Sequence, residues 1–214
     1  KAAHDIDVIH WLCGGYSRLV NAMGGLTLYG DLPDRREPVF PHHRRGAGDS
    51  QPDLWPPTSA RNLNHHIDVE DLSTMQMKLN NGVFATYAQC HYTPDYWRNY
   101  TVIGTEGRIE NFGNGEPGTL IRLWNQRTSY KSRGDETYRI PVAKGSHAGA
   151  DPLIMDEFLR YARDGGHTDT SPLAARESVA AGCLAAKSLR SGGKPFKVPA
   201  PDAAVARWFK KQNG

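Results

Sequence analysis

The sequence has 214 residues, of which 38% are hydrophobic and 23% charged, enough for the core of one large domain or two small ones. Its 26 basic and 23 acidic residues leave a formal charge of +3. That balance, without a basic stripe interleaved with aromatic residues, argues against a nucleic-acid partner. No apolar run approaches the roughly 20 residues of a membrane helix.

The cysteines and the start of the chain bear on its compartment. Cys13, Cys90 and Cys183 are few and far apart, so they predict neither a disulfide framework nor a zinc knuckle, and we expect a cytoplasmic protein. The residues contain no signal peptide. Because Lys1 already lies in a helix-like pattern, we expect an N-terminal portion to precede it.

The first predicted helix combines polar and apolar residues, in the run KAAHDIDVIHWL from Lys1 to Leu12. At about 3.6 residues per turn, His4, Asp7, Val8 and Trp11 share one side of it. Groups able to transfer protons therefore lie in its first turns, above an apolar anchor. Spacing alone favours an ordinary amphipathic helix with a charged start.

A strand and an irregular arm follow. Ser17 to Tyr29 predicts a strand broken by Gly24-Gly25. From about residue 30 to 66 the chain is rich in proline and lacks periodicity, with Trp55 as its strong anchor. A loop this long is typical of a functional arm, a lid or a disordered excursion.

The clearest β pattern begins at Thr74. Apolar and polar residues alternate to Leu79, Asn80-Asn81-Gly82 follows, and a second run extends from Val83 to Tyr92, which together predict a hairpin. Short turns without intervening helices then indicate a mainly antiparallel sheet. Its further predicted strands are Tyr100–Ile103, Arg108–Phe112, Thr119–Trp124 and Thr137–Val142.

The last third of the sequence is predicted to be helical. Asp151-Pro152 and Ser171-Pro172 each combine an N-cap residue with proline at the first helical position. The predicted fold is therefore α+β, a single domain over residues 1–214 whose helices cover one face of an open sheet. Its last elements are a short strand at Phe196–Val198 and a helix at Asp202–Lys211.

Two familiar site motifs are rejected on context. Gly113 to Gly118 matches G-x-G-x-x-G, but Pro117 and the strand after it predict a hairpin loop instead of a dinucleotide site. The pairs His42-His43 and His65-His66 lack the spacing of metal ligands, so we predict no metal. A serine hydrolase is also disfavoured, because no G-x-S-x-G elbow is present.

Two polar segments are candidates for binding hydroxyl groups. Asn64 to Asp71 is dense in histidine and carboxylate side chains, and it suits sugar recognition if the arm folds over a pocket. His91 to Arg98 combines aromatic and polar groups suited to lining such a site. An exposed aromatic turn is the alternative for the second segment.

Five segments together resemble, in order, the C-terminal domain of the Gfo/Idh/MocA oxidoreductase family, which includes inositol dehydrogenases and glucose–fructose oxidoreductase. The resemblance implies a glyceraldehyde-3-phosphate-dehydrogenase-like C-terminal fold, and an N-terminal Rossmann domain, absent from this chain, that binds NAD or NADP. The segments are KAAHDIDVIHWL, VEDLSTMQMKLNNGVFATYAQC, YTVIGTEGRIE, HAGADPLIMDEFLRYARDG and SVAAGCLAAKSLRSGGKPFKV.

The resemblance also implies site residues. The family's H-x-x-D histidine lies beside the nicotinamide and the substrate carbinol, and it corresponds to His4, with Asp7 as its acidic partner. Many relatives carry lysine three residues earlier, as Lys1 does here, whereas inositol dehydrogenases carry aspartate four residues earlier. We expect His4 to act as acid/base or to orient the substrate, Lys1 to share the proton, and Asp7 to hold the region of His4. Expected substrate contacts are His91, His65, Asp68, Trp97 and His147, the last in a segment resembling the family's H-x-G-x-D.

Three hypotheses follow for function. The first is the substrate and catalytic-helix domain of an NAD(P)-dependent enzyme that oxidises a secondary alcohol of a sugar or polyol, inactive as this fragment alone. The second is a glycoside-cleaving relative that retains its NAD and uses transient oxidation. The third is a non-catalytic assembly module. The sheet face that the helices leave uncovered predicts a homo-oligomer formed through that face.

Overall fold

The computed structural model describes residues 2–35, 55–113, 117–142, 145–169 and 171–212. Lys1, His42-His43 and the middle of the predicted arm lie outside these residues. The described elements are α1 (Ala2–Cys13), β1 (Ser17–Gly25), β2 (Leu72–Leu79), β3 (Phe84–Cys90), β4 (Thr101–Ile103), β5 (Arg108–Phe112), β6 (Leu120–Trp124), β7 (Glu136–Arg139), α2 (Ala150–Asp164), α3 (Pro172–Leu189), β8 (Phe196–Lys197) and α4 (Ala203–Gln212), with short 3-10 turns at Pro57–Ser59 and Ser146–Gly149.

Internal contacts divide the chain into two compact units. The first comprises Lys1–Pro94 and Ser171–Ala206, and the second comprises Asp95–Thr170 and Arg207–Gly214. Compact units of this kind can belong to one domain or to two, so a single domain over residues 1–214 stays a prediction.

The first unit contains a four-stranded sheet in the order β3-β2-β1-β8, with every neighbouring pair antiparallel. On β2, Met75, Met77 and Leu79 are buried while the residues between them are exposed, as alternation predicts. Gly82 occupies the turn to β3 with a φ of 89°, and the amide of Leu79 donates to the carbonyl of Val83 over 2.8 Å. The predicted hairpin is confirmed.

Helices α1 and α3 pack together, and α3 lies on β1. Small residues on α3, Ala181 and Ala185, are buried against this sheet, and Ser188 accepts a hydrogen bond from the amide of Ala22 over 2.9 Å. Ser171 caps α3 by accepting from the amide of Leu173, as the sequence predicts. The buried core comprises Ile6, Ile9, Val20, Ala22, Met75, Met77, Leu79, Ala181, Ala185 and Val198.

Gly24 marks the closest approach between β1 and β2. A Cβ atom on Gly24 would lie 2.2 Å from the carbonyl oxygen of Leu72, so only glycine fits there without backbone movement. The prediction of a strand broken at Gly24-Gly25 and continuing to Tyr29 needs correction, because β1 runs through Gly24 and ends at Gly25.

The second unit contains an antiparallel sheet in the order β4-β5-β6-β7. On one of its faces arginines lie over aromatic rings: Arg108 is 3.9 Å from the ring centre of Trp124, and Arg122 is 4.1 Å from that of Phe112. The predicted strand Thr137–Val142 ends earlier, at Arg139, ahead of a proline that has no amide to donate.

The prediction of an α+β fold with antiparallel strands and helices on one sheet face is confirmed, and the eight strands in the described residues form two sheets. The predicted start of α2 was also wrong. Asp151 is not the N-cap of α2, which begins at Ala150 after Gly149 in a left-handed conformation. The carboxylate of Asp151 instead lies beside the ring of His147.

Candidate functional site

The start of α1 presents His4 to solvent. Ile6 and Ile9 are buried in the core of the first unit, whereas His4 is exposed. The helical period therefore fixes the exposed histidine on a rigid, anchored element. Such an element positions a reactive side chain more precisely than a loop does.

Asp7, the predicted partner of His4, is half-buried on the same helix. Within residues 2–35 the structure describes no hydrogen bond between the two side chains. The charge of Asp7 acts on a different group, since it raises the pKa of His10 against the larger lowering effect of burial. A role for Asp7 in holding the region of His4 stays a prediction, as do the roles of His4 and Lys1.

Asp5, next to His4, is the buried carboxylate of this helix. Its Oδ2 atom lies 3.2 Å from the hydroxyl of Tyr87 on β3, and the same hydroxyl lies 2.8 Å from the side-chain amide of Gln89. The amide in turn contacts Nε2 of His91. The structure thus joins the first turn of α1 to His91 through a chain of polar side chains.

His91 is also held by its backbone. Its amide donates to the carbonyl of Asp71 over 2.9 Å, and its carbonyl accepts from the hydroxyl of Tyr29 over 3.2 Å. The imidazole itself remains exposed. The chain therefore offers His91 to a ligand from a fixed position at the end of β3.

Asp71 fixes the loop that carries Tyr29. Its carboxylate accepts from the amides of Thr27, Leu28 and Tyr29 over 2.7 to 2.8 Å and from the hydroxyl of Thr27 over 2.8 Å. Burial alone would raise the pKa of Asp71, but these hydrogen bonds outweigh it and hold the pKa below its ordinary value. A charged carboxylate thus closes the loop onto the sheet.

The other predicted substrate contacts lie elsewhere. In the first unit His65 and Asp68 are exposed, and no described contact joins them to His4 or His91; Asp68 lies 3.5 Å from Nε2 of His66. Trp97 and His147 belong to the second unit. Their part in substrate binding stays a prediction.

His147 forms a pair with a carboxylate in the second unit. Its Nδ1 atom lies 2.9 and 3.0 Å from the two carboxylate oxygens of Asp151. The hydrogen bond to Asp151 raises the pKa of His147. The residue has a φ of 48°, in the left-handed region that non-glycine residues seldom adopt. The pair is exposed and suited to proton exchange with a ligand.

Asp5, Tyr87 and Gln89 were not among the site residues predicted from the sequence. Tyr87 and Gln89 occupy inward-facing positions of β3, in alternation with exposed residues. A polar side chain on the buried face of a strand requires a hydrogen-bond partner, and that signal was available in the alternating pattern. The partner, Asp5, could not be identified from spacing, because it lies 82 positions away from Tyr87.

The Gly113–Gly118 match lies between two strands, not between a strand and a helix. It joins β5 to β6, neighbouring antiparallel strands in register from Phe112 opposite Leu120, and residues 114–116 within it lie outside the described part of the chain. A dinucleotide motif must instead lead into a helix. The described residues also contain no group of three or more histidine, cysteine, aspartate or glutamate side chains placed to hold a metal ion.

Comparison with known families decides the assignment. Residues 1–198 match the family model described as the oxidoreductase family, C-terminal alpha/beta domain, of the Gfo/Idh/MocA group. The chain belongs to this family. This match confirms the resemblance inferred from the five sequence segments, and it covers α1, both sheets and α3.

Relatives of this Gfo/Idh/MocA domain are longer proteins. YteT of Bacillus subtilis (strain 168), described as an oxidoreductase, is 24% identical over 195 residues, covering 74% of this chain and 45% of that protein. Levoglucosan dehydrogenase in its apo form has a TM-score of 0.64 at 17% identity, covering 94% of this chain and 50% of that one. The chain therefore spans about half the length of the relatives that it matches.

Other solved structures share the fold. The aldose-aldose oxidoreductase from Caulobacter crescentus complexed with glycerol has a TM-score of 0.57 at 14% identity, covering 92% of this chain and 45% of that one. The myo-inositol 2-dehydrogenase from Lactobacillus plantarum has a TM-score of 0.52 at 15% identity, covering 92% and 47%. Among the helices of the described Gfo/Idh/MocA domain, none has the length and apolar character needed to cross a bilayer.

Proposed function

We propose that this chain is the substrate-binding and acid–base half of an NAD(P)-dependent enzyme that oxidises a secondary alcohol of a sugar or polyol. The observation that carries the proposal is the exposed His4 at the start of an anchored helix, beside an Asp5 that is tied to His91. Membership of an oxidoreductase family supports it, as does a related fold solved with NADH and levoglucosan.

Oxidation of a secondary alcohol requires one acceptor for a proton and another for a hydride. Oxidation removes a proton from the oxygen and a hydride from the carbon of the carbinol group. His4 accepts the proton on a ring nitrogen, with Lys1 sharing it, because an imidazole exchanges protons readily near neutral pH. His91 contributes a hydrogen bond that orients the substrate. The nicotinamide, when bound, takes up the hydride.

This chain is proposed to supply only a minor part of the cofactor site. Gly113–Gly118 connects the antiparallel neighbours β5 and β6, whereas a dinucleotide motif leads from a strand into a helix. His4 and Lys1 are the proposed contributions of this chain beside the nicotinamide. We propose that an N-terminal Rossmann domain supplies the main NAD(P) site, in keeping with relatives about twice as long.

The open face of the first sheet supports a further part of the proposal. Phe84 and Met23 on this face are 76% and 69% exposed, and Leu19 is also exposed. Apolar side chains gathered on one sheet face are typical of contacts between protein subunits. We propose that two copies of the protein associate through this face, and that the enzyme is cytoplasmic.

The test uses the full-length protein with the proposed Rossmann domain. Purified protein is incubated with NAD or NADP and a panel of sugars, polyols and glycosides, while reduced cofactor and released sugar are both measured. Net reduced cofactor with at least one free sugar or polyol supports the proposal. Release of sugar from a glycoside without net reduction indicates the transient-oxidation alternative. Neither product, in protein that binds the cofactor, contradicts both.

A further inference from the structure

Four polar side chains form a continuous line from α1 to the end of β3, entirely within the first unit. Asp5 Oδ2 and the hydroxyl of Tyr87 are 3.2 Å apart, the hydroxyl and Oε1 of Gln89 are 2.8 Å apart, and Nε2 of Gln89 contacts Nε2 of His91. Three of the four are at least partly buried, and only the imidazole at the end of the line is exposed.

The number of protons available determines which group donates in each of these hydrogen bonds. A phenol has one proton, and both the carboxylate of Asp5 and the amide oxygen of Gln89 accept, so Tyr87 donates fully to only one of them. The carboxylate is the stronger acceptor. With the Tyr87 proton on Asp5, the amide group must turn its NH₂ toward the phenol oxygen, since amide orientation follows from the hydrogen bonds that it makes.

The orientation of the Gln89 amide determines which ring nitrogen of His91 carries the proton. Once the NH₂ group of Gln89 donates to Tyr87, its oxygen faces Nε2 of His91 and accepts a hydrogen bond from it. Nε2 therefore carries the proton, and in the neutral ring Nδ1 keeps its lone pair. All three hydrogen bonds then point the same way, from His91 to Asp5.

We propose that Gln89 is a positioning residue that holds His91 in its Nε2–H form, so that Nδ1 accepts a hydrogen bond from a hydroxyl group of the ligand. This rests on the proposed function for the identity of the ligand, a sugar or polyol alcohol. It also links the substrate contact at His91 to the helix that carries His4, through Tyr87 and Asp5.

Gln89 is separable from the contacts that shape the strand end. The backbone of His91 is already held by the carbonyl of Asp71 and the hydroxyl of Tyr29. Gln89 therefore affects only the orientation of the His91 imidazole and the ring nitrogen that carries its proton. A change in these two properties is therefore the expected effect of losing the amide.

The test reads the proton directly in the complete protein labelled with ¹⁵N-histidine. Nuclear magnetic resonance distinguishes protonated from unprotonated ring nitrogens, and the signals of His91 are assigned by their loss in His91→Gln. We expect a protonated Nε2 and an unprotonated Nδ1 in the wild type. In Gln89→Leu the two signals should move toward a common average. Gln76→Leu, an exposed glutamine on the outer face of β2, is the matched control and should leave them unchanged.

Steady-state kinetics test the proposed hydrogen bond between His91 and the ligand hydroxyl group. For an alcohol that the wild type oxidises, Gln89→Leu should raise KM about tenfold, the effect of weakening one hydrogen bond, with kcat little changed. If Gln89→Leu does not fold, Tyr87→Phe, which removes the acceptor for the amide, should average the His91 signals in the same way.

Two results would overturn the proposal: a wild-type His91 protonated on Nδ1, or a Gln89→Leu spectrum identical to that of the wild type. A changed spectrum with an unchanged KM would overturn the ligand contact. Absence of turnover with every alcohol would contradict the proposed function, and the spectra would still decide whether Gln89 sets the form of His91.

Discussion

Arg18 and Glu177, 159 positions apart in the sequence, form a two-fold hydrogen-bonded ion pair inside the first unit. Nη1 and Nη2 of Arg18 donate to the two carboxylate oxygens of Glu177 over 2.9 and 3.1 Å. The side chain of Glu177 is fully buried, whereas that of Arg18 is 28% exposed. The pair connects β1 to α3, and the charges of both side chains act on His10 of α1.

Removing Arg18 should cost far more than removing an exposed arginine. Arg18→Ala leaves a buried carboxylate without its main partner, so we expect the free energy of unfolding to fall by about 3–5 kcal/mol. Arg61, whose exposed side chain lies 3.7 Å from Asp34, is the matched control, and Arg61→Ala should cost under about 1 kcal/mol. Urea denaturation measures both. Equal losses would contradict the account.

The buried His10 predicts how stability depends on pH. Its Nε2 atom lies 2.8 Å from the hydroxyl of Ser17 and accepts from the Ser17 amide over 3.1 Å. Burial lowers the pKa of His10 in the folded protein, so the unfolded chain takes up the proton first. Stability should be complete above about pH 6.5 and should fall as the pH drops toward the folded-state pKa, by at most about 1.4 kcal/mol per pH unit.

Substitutions distinguish the contribution of His10 to this pH dependence from that of other histidines. His10→Gln should flatten the loss of stability as the pH falls below about 6.5, even though the variant is less stable throughout. His167→Gln, at an exposed position, should keep the wild-type profile. Thermal unfolding over this pH range provides the measurement, and a loss that persists unchanged in His10→Gln would show that another group is responsible.

Asp71 should control the loop after β1. In Asp71→Asn an NH₂ group replaces one acceptor oxygen and meets backbone amides that also donate, so we expect a loss of about 3 kcal/mol in the free energy of unfolding. Hydrogen exchange at Thr27, Leu28 and Tyr29 should become faster. Asp68→Asn, at an exposed site nearby, should change neither. Unaltered exchange in Asp71→Asn would mean that the carboxylate does not hold the loop.

The open sheet face should mediate self-association of the complete protein. Phe84→Glu places a charge within the proposed apolar contact and should convert oligomers to monomers at micromolar concentration. Val69→Glu, at a 61% exposed position outside the strands, is the control. Light scattering during size-exclusion chromatography measures the mass. A monomeric wild type, or an oligomeric Phe84→Glu, would contradict this interface.

Local patterns predicted the first sheet well. The alternation from Met75 to Leu79 and the Asn-Gly turn determine face and register through nearest neighbours alone, so the hairpin was predictable. The division into two sheets was not, because it depends on which distant strands pair. Asp151 likewise looks like a helix cap in sequence, and only the approach of His147 shows its different partner.

The candidate site was predictable to a lesser degree. His4 and His91 stand out as polar residues beside apolar patterns, and their placement in one unit is a structural result. The connection through Tyr87 and Gln89 requires the packing of β3 near α1, a contact between distant segments that no spacing in the sequence encodes.

The most direct test is hydride transfer by His4→Gln in the complete protein, compared with the wild type and with His167→Gln, an exposed histidine to which no role in the site is assigned. Single-turnover formation of reduced cofactor from an alcohol substrate is measured alongside cofactor affinity. The account predicts unchanged affinity and a rate about 10²–10⁴ times lower in His4→Gln alone, the usual contribution of a general base. A wild-type rate in His4→Gln would contradict the role of this helix in the chemistry.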